Sequence, residues 1–132
     1  MLCALSISTI CTVKAAYPDK PIKIIIGFPA GGPLDAHIRL LVDKLQSSLG
    51  QTVIVDYKAG AGGAVGAQFV AQSAADGYTV LLANTGTMVI NPAIYTKLPY
   101  DTLKDFQPIA RTAQQPLALI VNKDVQANTL KE

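Results

Sequence analysis

The order strand, glycine-rich break, amphipathic helix occurs twice in succession, and no other feature of the chain narrows its fold so far. Ile22-Lys23-Ile24-Ile25-Ile26-Gly27-Phe28 is β-branched and almost wholly apolar, the composition of a strand covered on both faces in a parallel sheet. Pro29-Ala30-Gly31-Gly32-Pro33 ends it. Leu34, Ile38, Leu41, Leu45 and Leu49 then follow at spacings of four, three, four and four, which is one face of a helix closed by Gly50. The second unit has the same order: residues 52–57 as a strand, 58–63 as a glycine-rich loop, and 65–75 as a helix facing inward through Val65, Phe69 and Val70. Asp76-Gly77 is a turn signal and residues 78–83 form a third strand. Strands alternating with helices over short loops predict βαβ crossovers and an α/β fold.

Past Asn84 the pattern loosens. Asn91-Pro92, Leu98-Pro99-Tyr100 and Gln107-Pro108 interrupt any long helix, Asp101 and Asp105 flank a capped turn reaching Phe106, and residues 117–122 read as a further strand. Asn128-Thr129-Leu130-Lys131-Glu132 has the pattern of a helix start, with an Asn cap and acid in the first turn. The chain of 132 residues, half of them apolar, suffices for one domain and its core. Residues 17–132 are therefore expected to be a single α/β domain, and a chain that stops where a helix should begin reads as truncated.

Residues 1–16 differ from the rest. Met1 to Val13 carries no charged side chain and is followed by Lys14-Ala15-Ala16. That is the pattern of a signal peptide, with Val13 and Ala15 at the small-residue positions before a cut, the other reading being a first strand or buried helix. The run is shorter than the roughly 20 residues a membrane span needs, so no stable membrane anchor is expected. Both cysteines, Cys3 and Cys11, lie within it. A processed chain then has no disulfide, thiol nucleophile or cysteine-held metal. Removing this segment takes away Lys14 alone, leaving ten basic side chains against nine acidic ones. Without a basic run, nothing in the charge calls for nucleic acid as a partner.

Both glycine-rich loops follow a strand and open a helix, so both fall at the carboxyl edge of the sheet. Ligands bind at that edge in open α/β sheets, and free N–H groups with the helix dipole favour anions there. Two tight turns with no ligand would give the same residues. The dinucleotide pattern fails in Gly60-Ala61-Gly62-Gly63-Ala64-Val65-Gly66, where Val65 occupies the last glycine position and Gly66 comes one residue late. Asn84 stands where the ribose-binding acid belongs. Neither loop continues into the Lys and Ser or Thr of a phosphate-binding P-loop. His37 is the only histidine and sits early in a helix away from a candidate serine, so it is assigned a structural role. The carboxylates are scattered, and no metal or other cofactor is expected.

Taken together, Tyr17-Pro18-Asp19-Lys20-Pro21-Ile22, Phe28-Pro29-Ala30-Gly31-Gly32-Pro33-Leu34-Asp35, Gly60-Ala61-Gly62-Gly63, Asp76-Gly77-Tyr78 and Asn91-Pro92-Ala93-Ile94-Tyr95 with Lys97-Leu98-Pro99-Tyr100-Asp101 closely resemble the Bug-type solute-binding proteins of tripartite tricarboxylate transporters. The resemblance implies a periplasmic-binding-protein-like (type II) fold of two α/β domains, of which this chain covers about the first. It further implies an exported, periplasmic, monomeric receptor that is not an enzyme, captures a small carboxylate and delivers it to a membrane permease. By the same resemblance, ligand contacts come from Phe28, Pro29, Ala30, Gly31, Gly32 and Asp35 in the first loop, Gly63 and Ala64 in the second, and Thr85, Thr87 and Met88 after the third strand. Asp35 is also placed to brace its loop and favour the helix dipole. Ala64 and Met88 stand where the family often has Asn and His, which removes two polar handles. The competing readings are a nucleotide-dependent enzyme domain and a non-functional truncated fragment.

Export gives the first prediction: the product is trimmed after Ala15 or Ala16, so N-terminal sequencing of periplasmic material returns Ala16 or Tyr17. Intact Met1 recovered from the cytosol would remove the localisation.

Overall fold

Strand β1 (Ile22–Ile26) is the centre of a three-stranded parallel sheet, flanked by β2 (Val53–Tyr57) and β3 (Thr79–Leu82) in the order β2-β1-β3. Ile24 stands opposite Val55 on one side and Val80 on the other. The computed structural model describes residues 16–116, 118–126, 129 and 131. Residues 1–15 of the expected signal peptide, with Cys3 and Cys11, and the expected cap Asn128 lie outside the described residues.

The sheet is covered on two faces, as the composition of β1 requires. Helix α1 (Pro33–Leu49) lays Ile38 with Leu34, Leu41, Val42 and Leu45 on Ile24, Ile26 and Val53. These are the apolar positions of the helical repeat, so the period alone selects this face. The helix ends at Gly50, whose left-handed backbone lets its N–H bond the Gln46 carbonyl, as expected. Ile25 points to the opposite face by strand alternation and is fully buried.

Helix α2 (Ala64–Ala71) is shorter than the expected span 65–75 and shows a different face. Its buried residues are Ala64, Gly66 and Ala67, whereas Val65 is 44% and Phe69 41% exposed. The reason is the separation between helix and sheet. A Cβ on Gly66 would lie 2.7 Å from the Gly27 Cα and 3.0 Å from its nitrogen. At that distance only glycine fits at position 66, the buried positions beside it hold the small Ala64 and Ala67, and the larger side chains are turned outward. Tyr100, Leu81, Leu98 and Phe106 fill the space beside Ala64 and Ala67.

After β3 a π-helical turn (Gly86–Ile90) runs into the short helix α3 (Asn91–Ile94). Asn91-Pro92, expected to break any long helix, opens only this four-residue one, where a proline in the first turn gives up no helical hydrogen bond. The turn at Asp101 forms as expected: its Oδ1 accepts from the N–H groups of Leu103 and Lys104, and Asp105 Oδ2 accepts from the Asp101 N–H at 2.7 Å. Residues 118–122 of the expected fourth strand are exposed and unpaired. No neighbouring strand among the described residues offers them a ladder. No helix among the described residues is long and apolar enough to cross a membrane.

Two motifs that lie far apart in the sequence meet at the amino edge of the sheet. Tyr17 donates its hydroxyl to the Gly77 carbonyl at 2.9 Å, Tyr78 donates to Asp19 Oδ1 at 2.5 Å, and the Lys20 ammonium reaches Asp76 at 3.0 Å. The approach to β1 is thereby fixed against the turn that precedes β3.

The close packing of α2 predicts an inverted order of mutational costs. Gly66→Ala gains up to about 1 kcal/mol of helix propensity but forces a methyl into backbone, an overpacking cost of roughly 1–3 kcal/mol. Urea unfolding is expected to show Gly66→Ala less stable than Val65→Ala, although the latter removes two carbons. Equal midpoints for Gly66→Ala and wild type would rule out the contact.

Candidate functional site

Parallel strands deliver three loops to one edge: residues 27–32 after β1, 58–63 after β2 and 83–87 after β3. In the first, Gly31 has φ +84°, a backbone conformation that L side chains rarely adopt. Gly32 does not; it is the N-cap of α1 at φ −79° and ψ 175°, open to any residue. Because no side chain caps α1 and Pro33 has no N–H, the first turn keeps unused donors. The N–H groups of Gly32, Leu34 and Asp35 meet no protein acceptor among the described residues. Together with the helix dipole they favour an anion. The Gly31 N–H, by contrast, is spent on Asp35 Oδ2 at 2.7 Å.

Asp35 is 3% exposed and its carboxylate is fully engaged. Oδ1 accepts from the Tyr57 hydroxyl at 2.6 Å and from Arg39 Nε at 2.8 Å. The Tyr57 hydroxyl first, then the Gly31 N–H and the Arg39 guanidinium, hold the Asp35 carboxyl below the usual carboxylate range against the opposing effect of burial. The same bond to Asp35, with burial, pushes the Tyr57 phenol up, so it remains the donor. Asp35 thus braces the first loop through both of its oxygens.

The second loop is bent by four successive residues of positive φ, Gly60, Ala61, Gly62 and Gly63. This turns the Gly62 carbonyl toward Asn91 Nδ2, which donates to it at 3.0 Å, and toward Thr87 Oγ1 at 3.3 Å. Thr87 is 2% exposed. Its N–H donates to Asn84 Oδ1 at 3.0 Å, and Tyr100 donates its hydroxyl to the Thr87 carbonyl at 2.5 Å. Loops two and three therefore share one partly buried polar network centred on Thr87.

The expected site residues divide accordingly. Phe28, Gly63 and Thr87 are brought together: a Cβ on Gly63 would collide with the Thr87 hydroxyl and lie 3.0 Å from Phe28 Cε2. Pro29, Ala30, Gly31 and Thr85 stand exposed at the rim, Gly32 and Met88 are half-buried, and Ala64 is buried beneath. Tyr57, Arg39, Asn84, Asn91 and Tyr100 were not singled out from the sequence as site residues. Only the Asp35–Arg39 spacing of four, a helical ion pair, was a visible signal. Two grooves of about 250 Å³ are present, one between Ala61, Val65, Tyr95 and Lys97 and the other between Lys20, Lys23, Asp76 and Tyr78. Neither is lined by residues 28–35, which lie on an open face. Among the described residues no three His, Cys, Asp or Glu side chains are placed to hold a metal ion.

The sequence profile of the tripartite tricarboxylate transporter family receptor matches residues 37–132. Protein BugT of Bordetella pertussis is 40% identical over 115 residues, 86% of this chain and 35% of its own. The periplasmic binding protein BugD superposes with a TM-score of 0.67 at 39% identity, over 70% of this chain and 31% of its own. MatC from Rhodopseudomonas palustris, solved with bound malate, gives a TM-score of 0.67 at 35% identity, over 70% and 31%. The chain spans about a third of the length of the curated relatives it matches.

The Asp35 brace has a pH signature. A carboxylate whose folded value is depressed stabilises the fold above its unfolded value, near pH 3.9, and that contribution is lost as pH falls through the lower folded value. Asp35→Asn is expected to lower stability at neutral pH and to flatten the acid limb of the stability profile. An unchanged acid limb in thermal melts from pH 7 to pH 3 would contradict the brace.

Proposed function

The chain belongs to the tripartite tricarboxylate transporter receptor family, and from that premise we propose that it captures a small carboxylate in the periplasm and delivers it to a permease of the tripartite tricarboxylate transporter type. The observation that carries this reading is the uncapped first turn of α1, whose free N–H groups follow two residues without side chains. A carboxylate is among the anions that such a turn accepts without a protein counter-charge. The malate bound to the similar MatC supports this ligand class.

On this reading the exposed Pro29, Ala30 and Thr85 and the half-buried Gly32 and Met88 meet the ligand, while Gly31, whose N–H is spent on Asp35, and Phe28, Asp35, Gly63, Ala64 and Thr87 shape the loops. The loops lie on an open face, so a second domain encloses the ligand, in keeping with relatives about three times as long. The protein acts as a monomeric receptor and not as an enzyme. Ala64 and Met88 offer no hydrogen-bonding side chain, so orientation rests on main-chain donors.

The test uses the protein at the full length of its relatives, with malate as probe. Gly32→Val is expected to fold normally, since Gly32 has an ordinary extended backbone and a Cβ there would meet only the Pro29 carbonyl, at 3.5 Å. It should lose the malate-induced rise in Tm because the branched side chain blocks approach to the free N–H groups. His37→Ala should keep that rise. A ligand at a hundredfold its Kd stabilises by about 2.7 kcal/mol, well within reach of a thermal shift. Gly32→Val retaining the shift while His37→Ala loses it would reverse the assignment.

A further inference from the structure

The Asp35 carboxylate is held by three donors, and they are not equivalent. The Gly31 N–H and Arg39 Nε lie four residues to either side of it. Both travel with α1 and its own leading loop. Tyr57 is twenty-two residues away, at the last position of β2. Among the described residues its hydroxyl is the one donor to this carboxylate that belongs to the sheet.

We infer that Tyr57 is a positioning residue for the carboxylate loop: its hydroxyl fixes Asp35 to the end of β2, Asp35 fixes the Gly31 N–H, and the free donors at Gly32, Leu34 and Asp35 are thereby held at a set place on the sheet edge. The inference rests on the carboxylate reading given above. Its chemistry is a relay of two hydrogen bonds through one buried anion, 2.6 Å from the hydroxyl and 2.7 Å to the amide, lengths that suit charge-assisted bonds. Arg39 Nη2 donates to the same hydroxyl at 3.2 Å, which leaves the phenolic proton for Asp35. The guanidinium itself is largely exposed and weakened by solvent. The ring of Tyr57 packs against the α1 core, so Tyr57→Phe keeps the packing and removes the relay.

Two measurements on the full-length protein test this, with Arg39→Ala as the comparison variant. Hydrogen exchange at the Gly31 amide, followed by NMR, is expected to be about tenfold faster in Tyr57→Phe, and the Kd for malate by calorimetry roughly tenfold weaker. Both effects should be clearly smaller in Arg39→Ala, which removes one donor from Asp35 but leaves the Tyr57 and Gly31 bonds in place. Faster exchange at Gly31 in Tyr57→Phe, with amides of β1 unchanged, supports the relay even where wild type gives no heat with malate; that second result would remove the carboxylate reading alone. Unchanged Gly31 exchange in Tyr57→Phe overturns the relay, as does an equal effect of Arg39→Ala.

Discussion

Three main-chain segments approach within contact distance at the carboxyl edge of this sheet, and every loop that shapes the site depends on that approach. Gly27 follows β1, Gly63 closes the second loop, and Gly66 lies on the first turn of α2. A Cβ on Gly27 would stand 2.7 Å from both the Cα and the carbonyl oxygen of Gly63, and one on Gly66 would stand 2.7 Å from the Gly27 Cα. Side chains are excluded from this junction by distance. The second loop can therefore fold down beside the first, with Phe28 and Thr87 closing over Gly63.

Backbones packed this closely leave their polar groups without water, and the structure meets that demand with two separate networks. Asp35 serves the first loop, accepting from Gly31, Arg39 and Tyr57. Asn91 and Thr87 serve the second, both directed at the Gly62 carbonyl, with Asn84 and Tyr100 completing the set around Thr87. Neither network leaves its central group free for a ligand. A buried polar group that lost its partner would incur its full desolvation cost, so these side chains are committed to shape. What these networks leave uncommitted are the unspent N–H groups of α1 and the exposed residues around them.

Ala64 is buried under the second loop and Met88 half-buried after β3, neither carrying a hydrogen-bonding group. The anion-favouring element is main chain, and main-chain donors do not change with the residue that bears them. The helix dipole acts along the same direction.

Strands, α1 and the glycine-rich loops were legible because each has a local cause. The apolar run of β1, the four-three-four repeat from Leu34 and the positive φ needed at Gly31 and Gly50 are properties of residues near one another in the chain. The family resemblance was legible for the same reason, as a set of short segments in order. The face of α2 was not, because periodicity points the largest apolar side chains inward, and here the distance to Gly27 admits only Ala64, Gly66 and Ala67. Nor did the sequence link Tyr57 to Asp35 or Asn91 to Gly62, separations of 22 and 29 residues that no spacing rule spans. Which elements form, and in what order, could be read along the chain because both follow from local backbone preference and burial period. Which polar side chains brace the loops and which donors stay free could not, because a hydrogen bond between distant residues exists only once the packed sheet has set the distance between them.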